Sequence, residues 1–169
     1  MDIFQDFTDP MTSMPLATAA LRLLTAMLLG GVIGWEREVN ARAAGLRTHM
    51  LIALAAAVFA IVAMELTYFE GAPATQLRTD PLRLIEAVTS GVAFLAAGSI
   101  ITSSGSVRGI TTGASMWLCG AIGLCCGVGD VKLAGLVTLL AVVVLWLIHL
   151  LVSPVAERMA DRRQDRKGD

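Results

Sequence analysis

The chain has 169 residues, 56% of them hydrophobic and only 16% charged, with a formal net charge of −1 and a mean hydropathy of +0.71. An average soluble domain is nearer half apolar and a quarter charged, and here the excess comes in long blocks rather than in alternation, so the composition excludes an ordinary soluble fold. The near-neutral charge gives no bulk field for nucleic acid, and none is expected as a partner.

Residues 1–15 hold Asp2, Asp6 and Asp9 but no Lys or Arg, so they lack the basic start of a cleavable signal peptide. They are expected to form a short acidic periplasmic segment. A transmembrane domain over 16–153 follows, built of five helices near 16–34, 48–66, 84–102, 111–129 and 131–152, each about 20 residues long. Residues 154–169 are expected to form a charged cytoplasmic tail. The fold class is therefore all-α: a polytopic bundle in contact with the lipid bilayer.

Lys and Arg set the orientation. One side holds Arg37, Arg42, Arg47, Arg108, Arg158, Arg162, Arg163, Arg166 and Lys167, the other only Arg78, Arg83 and Lys132. This places the N-terminus outside and the C-terminus in the cytoplasm. Asp2, Asp6, Asp9, Glu65, Glu70, Asp80, Glu86 and Asp130 then gather at the outer face. Two accounts of that rim are open: it concentrates cations, or it is what positive-inside sorting leaves behind.

In the first span Ala26, Gly30 and Gly34 recur at four-residue steps, as helices packed in lipid require. Arg22, inside this span near its outer end, either snorkels to the headgroups or pairs with Glu86 or Glu65. The connection "GWEREVNARAAGLRTHM" carries an aromatic belt residue, Trp35, then the charges Glu36, Arg37, Glu38, Arg42 and Arg47. Thr48 is placed to cap the second span, and His49 reads as an interfacial histidine, as does His149. The second span lines Ala53, Ala56, Ala57, Ala60 and Ala63 along one stripe.

The third span opens on Asp80, an N-cap, and Pro81, a first helical residue. At 100° per residue Arg83, Glu86, Ala87, Ser90, Phe94, Ala97, Gly98 and Ile101 share one face, with Leu84, Ile85, Val88, Val92 and Leu95 opposite. Arg83 and Glu86, three apart, can pair. The small and polar face is expected to line an inward seam, so that Asp80, Arg83, Glu86, Ser90 and Arg22 make a candidate polar or ion site. Asp80 and Glu86 are the candidate metal ligands in it. A capped helix start with an interfacial ion pair is the plainer account. Gly91 and Gly98 on this helix are expected at packing interfaces.

The connection "TSSGSVRGITTGASMW" is either a simple capped turn or a run of free amides that holds an anion beside Arg108. The fourth span has Gly113, Gly120 and Gly127 at seven-residue steps, again a packing pattern, and the tight "GVGD" joint makes it a hairpin with the fifth. "LVTLLAVVVLWLIHLL" is nearly all bulky and reads as a peripheral, lipid-facing helix. Cys119, Cys125 and Cys126 sit in an apolar block with no His at ligand spacing, so they read as packed thiols, not as a disulfide framework. No Ser-His-Asp, Cys-His or metal-ligand constellation is present, so no enzyme is expected.

Four stretches together resemble the MgtC/SapB family of bacterial inner-membrane proteins: "LGGVIGWERE" (29–38), "AGLRTHMLIALAAAVF" (44–59), "DPLRLIEAVTSGVAFLAAGSII" (80–101) and "GITTGASMWLCGAIGLCCGVG" (109–129). The resemblance implies a five-helix inner-membrane domain and a part in adaptation to magnesium limitation. The family's motif positions fall on Glu36, Arg37, Glu38, Gly45, Leu46, Arg47, Thr48, Asp80, Pro81, Arg83, Ser90, Gly91, Phe94, Gly98, Thr111 and Thr112. Of these, Glu36, Arg37, Glu38, Arg47, Thr48, Thr111 and Thr112 are expected to form, with Arg108, a cytoplasmic cluster. Ala93 and Ala96 stand where the family's "GFLGAG" run has glycine, which narrows any backbone-lined path. Longer members add a soluble domain resembling ligand-sensing modules; after Pro154 the sequence has only a short charged tail, so sensing by such a domain is not carried over from the resemblance.

Two functions are consistent with these features. One is a non-enzymatic regulator that works by helix contact with itself, as a dimer or other homo-oligomer, or with another inner-membrane protein. The other is a channel or transporter for Mg²⁺ or another cation, working as a homo-oligomer, with Mg²⁺ as the ligand of Asp80 and Glu86. No cofactor is expected beyond such an ion.

Overall fold

The computed structural model describes residues 14–67, 80–103 and 106–147. They form five helices: α1 (Leu16–Val39), α2 (Leu46–Thr67), α3 (Pro81–Ser99), α4 (Ile110–Val128) and α5 (Val131–Leu147). A small hairpin, β1 (Ile101–Ser103) and β2 (Ser106–Arg108), joins α3 to α4. The first four helices are long and apolar enough to cross a membrane, and the described part of α5 is shorter. The chain is thus a multi-pass membrane protein. The expected 148–152 end of the fifth span, His149, the N-terminal segment and the tail lie outside the described residues.

Boundaries shift where local chemistry outweighs hydropathy. α1 continues to Val39, five residues past its apolar block, so "WEREV" is helical and the first connection is only 40–45. It ends in a Schellman motif: Arg42 N–H donates to Arg37 O and Ala41 N–H to Glu38 O, both at 3.0 Å. The left-handed position that glycine normally takes is filled by Ala41, at φ 51°. α3 runs 81–99 rather than 84–102, because Ile100 is extended and the β-branched Ile101 and Thr102 pair with Arg108 and Val107. The expected turn between α3 and α4 is therefore a β-hairpin.

α4 is the centre of the bundle, and its glycines face two ways. A Cβ at Gly123 would strike the Ala53 carbonyl of α2, and one at Gly127 would lie 2.6 Å from Ala57 O. On the other side Gly120 faces Val92 of α3 and Gly113 faces Ala96, where an added Cβ would lie 3.1 Å from Val92 Cγ2 and 3.3 Å from Ala96 Cβ. α1 reaches α2 in the same way, with Cβ positions at Gly30 and Gly34 2.7 Å from Ala53 Cβ and 2.8 Å from Leu46 Cα. Without a strong hydrophobic drive between helices in lipid, such close backbone approach supplies the packing. Alanines 53, 56, 57 and 60 and the thiols Cys119 and Cys126 fill the seams. α5 buries only the stripe Ala134, Thr138 and Ala141, and leaves Leu136, Leu139, Val143 and Trp146 exposed.

α3 packs the opposite way to the face analysis. Val88, Val92 and Ala96 are buried, whereas Arg83, Glu86, Ser90, Phe94 and Gly98 are exposed. Because α4 already offers the glycine grooves, α3 contributes bulky side chains to fill them, and its small residues are left outside. A Cβ at Gly91 or Gly98 meets nothing within 4 Å, so neither packs against another described helix. Ala96 touches Gly113 and Ala93 is exposed, so neither methyl narrows an internal path.

Candidate functional site

The polar residues of the third span do not converge. Asp80 caps α3, its Oδ1 accepting from Leu82 N–H at 3.0 Å. Its other oxygen lies 4.0 Å from Arg83 Nε, with both side chains well exposed. Arg83 therefore faces Asp80 instead of Glu86, which is exposed and has no described partner. Ser90 lies one turn further along this outer face. Arg22 is elsewhere: its Nη1 donates to Gly127 O at 2.8 Å. It does not join Glu86, but places a cation on the carbonyl end of α4, where the helix dipole favours one. Gly129, at φ 99°, turns the chain beside that guanidinium, and Asp130 caps α5 through Leu133 N–H. Among the described residues no group of three or more His, Cys, Asp or Glu could hold a metal ion.

Convergence occurs at the other end, where the first connection meets the β-hairpin. Arg37 is buried, 4% exposed, and makes a two-pronged ion pair with Glu36, its Nη2 donating to Oε1 at 2.8 Å. Asn40 Nδ2 donates to the same Glu36 oxygen at 2.9 Å and to its backbone carbonyl at 2.8 Å. Glu38 reaches across the connection to the start of α2, where its Oε2 accepts from Leu46 N–H at 2.9 Å. A carboxylate at that helix start satisfies an amide and suits the dipole. Gly45 lies beneath it, and a Cβ there would displace the Glu38 carboxylate from this place. Thr48, expected as the cap, lies inside α2, and Arg47 is exposed beside it.

His49 is the residue that sequence reading misplaced most. It is fully buried instead of interfacial. Its Nδ1 lies 2.8 Å from Gly45 O, a pure acceptor, so Nδ1 carries a proton and donates. Its Nε2 lies 2.9 Å from Ser115 Oγ on α4, and that oxygen is 2.9 Å from Thr112 O. The signal available was the rule that a polar side chain within an apolar helix needs partners. The partners could not be named, because Ser115 is 66 residues away.

Beside this network is a cavity of about 500 Å³ lined by residues 41–43 of the first connection and 107–112 of the hairpin and α4. Arg42, Arg108, Thr111 and Thr112 are in its wall. α4 starts there at Gly109, φ 91°, with no side-chain cap. Thus Glu36, Arg37, Glu38, Arg108, Thr111 and Thr112 do gather at one end of the bundle, with His49, Asn40 and Ser115 added.

Known proteins resemble the chain over most of its length. The model of the MgtC family matches residues 23–153. A protein named MgtC from Brucella abortus (strain 2308) is 38% identical over 149 residues, which are 88% of this chain and 58% of that protein. Protein MgtC of Salmonella typhimurium (strain LT2) is 38% identical over 139 residues, 82% of this chain and 54% of its own length. An uncharacterized Haemophilus influenzae protein is 35% identical over 147 residues, 86% of this chain and 60% of its own. The chain therefore spans a little over half the length of these curated relatives. No solved structure matches it at a significant level.

Proposed function

The chain belongs to the MgtC family, and from that premise we propose that it is a non-enzymatic protein of the bacterial inner membrane, serving adaptation to magnesium limitation through helix–helix contacts with a second copy or with another membrane protein. The N-terminus would face out and the basic connections the cytoplasm. The observation that carries this reading is the outward face of α3. Ser90, Gly91, Phe94 and Gly98 look away from the bundle, with Phe94 80% exposed. An apolar groove of about 430 Å³ runs beside them, between α2 and α3. Small residues on an outer helix face permit close approach of another helix, and an exposed aromatic supplies an anchor. The interior of the bundle is filled by Ile33, Ile122, Cys119, Cys126 and alanines, which favours contact over conduction along its seams.

The test compares Gly98→Leu with Asp80→Asn in a deletion strain at limiting magnesium, recording growth and total cellular magnesium. A Cβ at position 98 meets no described atom within 4 Å, so the variant should accumulate normally yet fail to restore growth. Asp80→Asn should restore it, because an amide oxygen still accepts at the helix start. The opposite pattern, with magnesium content following Asp80, supports cation transport and overturns the contact reading.

A further inference from the structure

The cavity between the first connection and α4 has the chemistry of an anion site. The amides of Ile110, Thr111 and Thr112 open α4 with no side-chain acceptor, and the first amide bonded there is that of Gly113, to Gly109 O at 2.9 Å. Three free amides and a positive helix end attract negative charge, but a helix start alone is only half a site. The second observation is Thr112. It is 3% exposed, yet its hydroxyl has no hydrogen-bond partner among the described residues. Among the described residues no sealed polar side-chain atom lacks a partner, so this hydroxyl is not sealed, and Thr112 is in the wall of the cavity.

Charge points the same way. Arg42 from the first connection and Arg108 from β2 both line the cavity, and neither guanidinium has a described partner. Among the described residues its wall contains no acidic residue. The nearby carboxylates are engaged elsewhere, Glu36 with Arg37 and Asn40, and Glu38 with Leu46 N–H.

We propose that this cavity binds a phosphoryl group, seated on the Thr112 hydroxyl and the first-turn amides of α4 and held from two sides by Arg42 and Arg108. Arginine suits the role because its planar fork matches phosphate oxygens. A volume of about 500 Å³ is that of a small-ligand pocket. The same chemistry is offered by free phosphate and by the headgroup of an anionic phospholipid. The site lies apart from the outward face of α3, so it stands or falls independently of the contact reading.

The test uses the whole chain, delipidated in an uncharged detergent, with thermal unfolding followed as ligand is added. One arm titrates inorganic phosphate against chloride at matched ionic strength, and the other titrates phosphatidylglycerol against phosphatidylcholine. Saturable stabilisation is expected in one arm. The double variant Arg42→Ala/Arg108→Ala should weaken the half-saturating concentration at least tenfold, and Thr112→Val several-fold. Phosphate saturating alone identifies a free anion, and phosphatidylglycerol saturating alone identifies a headgroup. Saturation in neither arm overturns the proposal. So does saturation that the double variant leaves unchanged, since its two exposed arginines can be removed without disturbing the bundle.

Discussion

His49 Nε2 on α2 and Ser115 Oγ on α4 meet at 2.9 Å, joining two buried side chains 66 residues apart. The bond ties together two closely packed helices, at the end where the first connection and the hairpin meet. Ser115→Ala would leave Nε2 buried without its partner, at a cost of about 1–3 kcal/mol. Pairing it with His49→Leu should cost less than the sum of the two single changes, with a coupling of about 1 kcal/mol. Unfolding of all four proteins in one detergent measures this, and strict additivity would contradict the bond.

Arg37 and Glu36 make a second contrast. Arg37 is nearly sealed and its guanidinium is neutralised by Glu36, which is itself only 14% exposed. Glu36→Ala strands a buried cation and should cost about 3 kcal/mol. Glu38→Ala removes a helix-start acceptor and should cost about 1 kcal/mol. Denaturation midpoints rank the two directly, and a larger effect at Glu38 would sink the assignment.

Glycines 123 and 98 should respond to alanine with opposite signs. At Gly123 the new methyl strikes the Ala53 backbone carbonyl, which cannot rotate away, so α2 and α4 must part at a cost of about 1–3 kcal/mol or more. At Gly98 it enters open space, and the better helix propensity of alanine should stabilise by about 0.5–1 kcal/mol. Thermal unfolding of the two variants distinguishes these signs. The same sign at both positions would mean that α4 is not the centre.

Ala41 holds the left-handed turn that ends α1, at φ 51°. An L-residue there is strained, and Ala41→Gly should release the strain for a net gain of about 0.5–1 kcal/mol. A fall in unfolding temperature would show that the Schellman turn does not form as described.

Much of the architecture follows from the sequence alone, since hydropathy blocks and small-residue spacing are local properties. The spans, the cap at Asp80, the packing glycines of α1 and α4 and the peripheral fifth helix could all be read in this way. What lay beyond it was which face of α3 turns inward. A helix with Val88 and Val92 on one side and Ser90 and Gly98 on the other can satisfy lipid or protein with either. The choice fell to α4, whose grooves at Gly113 and Gly120 leave room for bulk and not for more small residues. The partners of Arg22, Glu38 and His49 were likewise decided by the fold. Each is a polar group in an apolar setting, so the sequence required that it find a partner. Only packing could bring Gly127, Leu46 and Ser115 within reach.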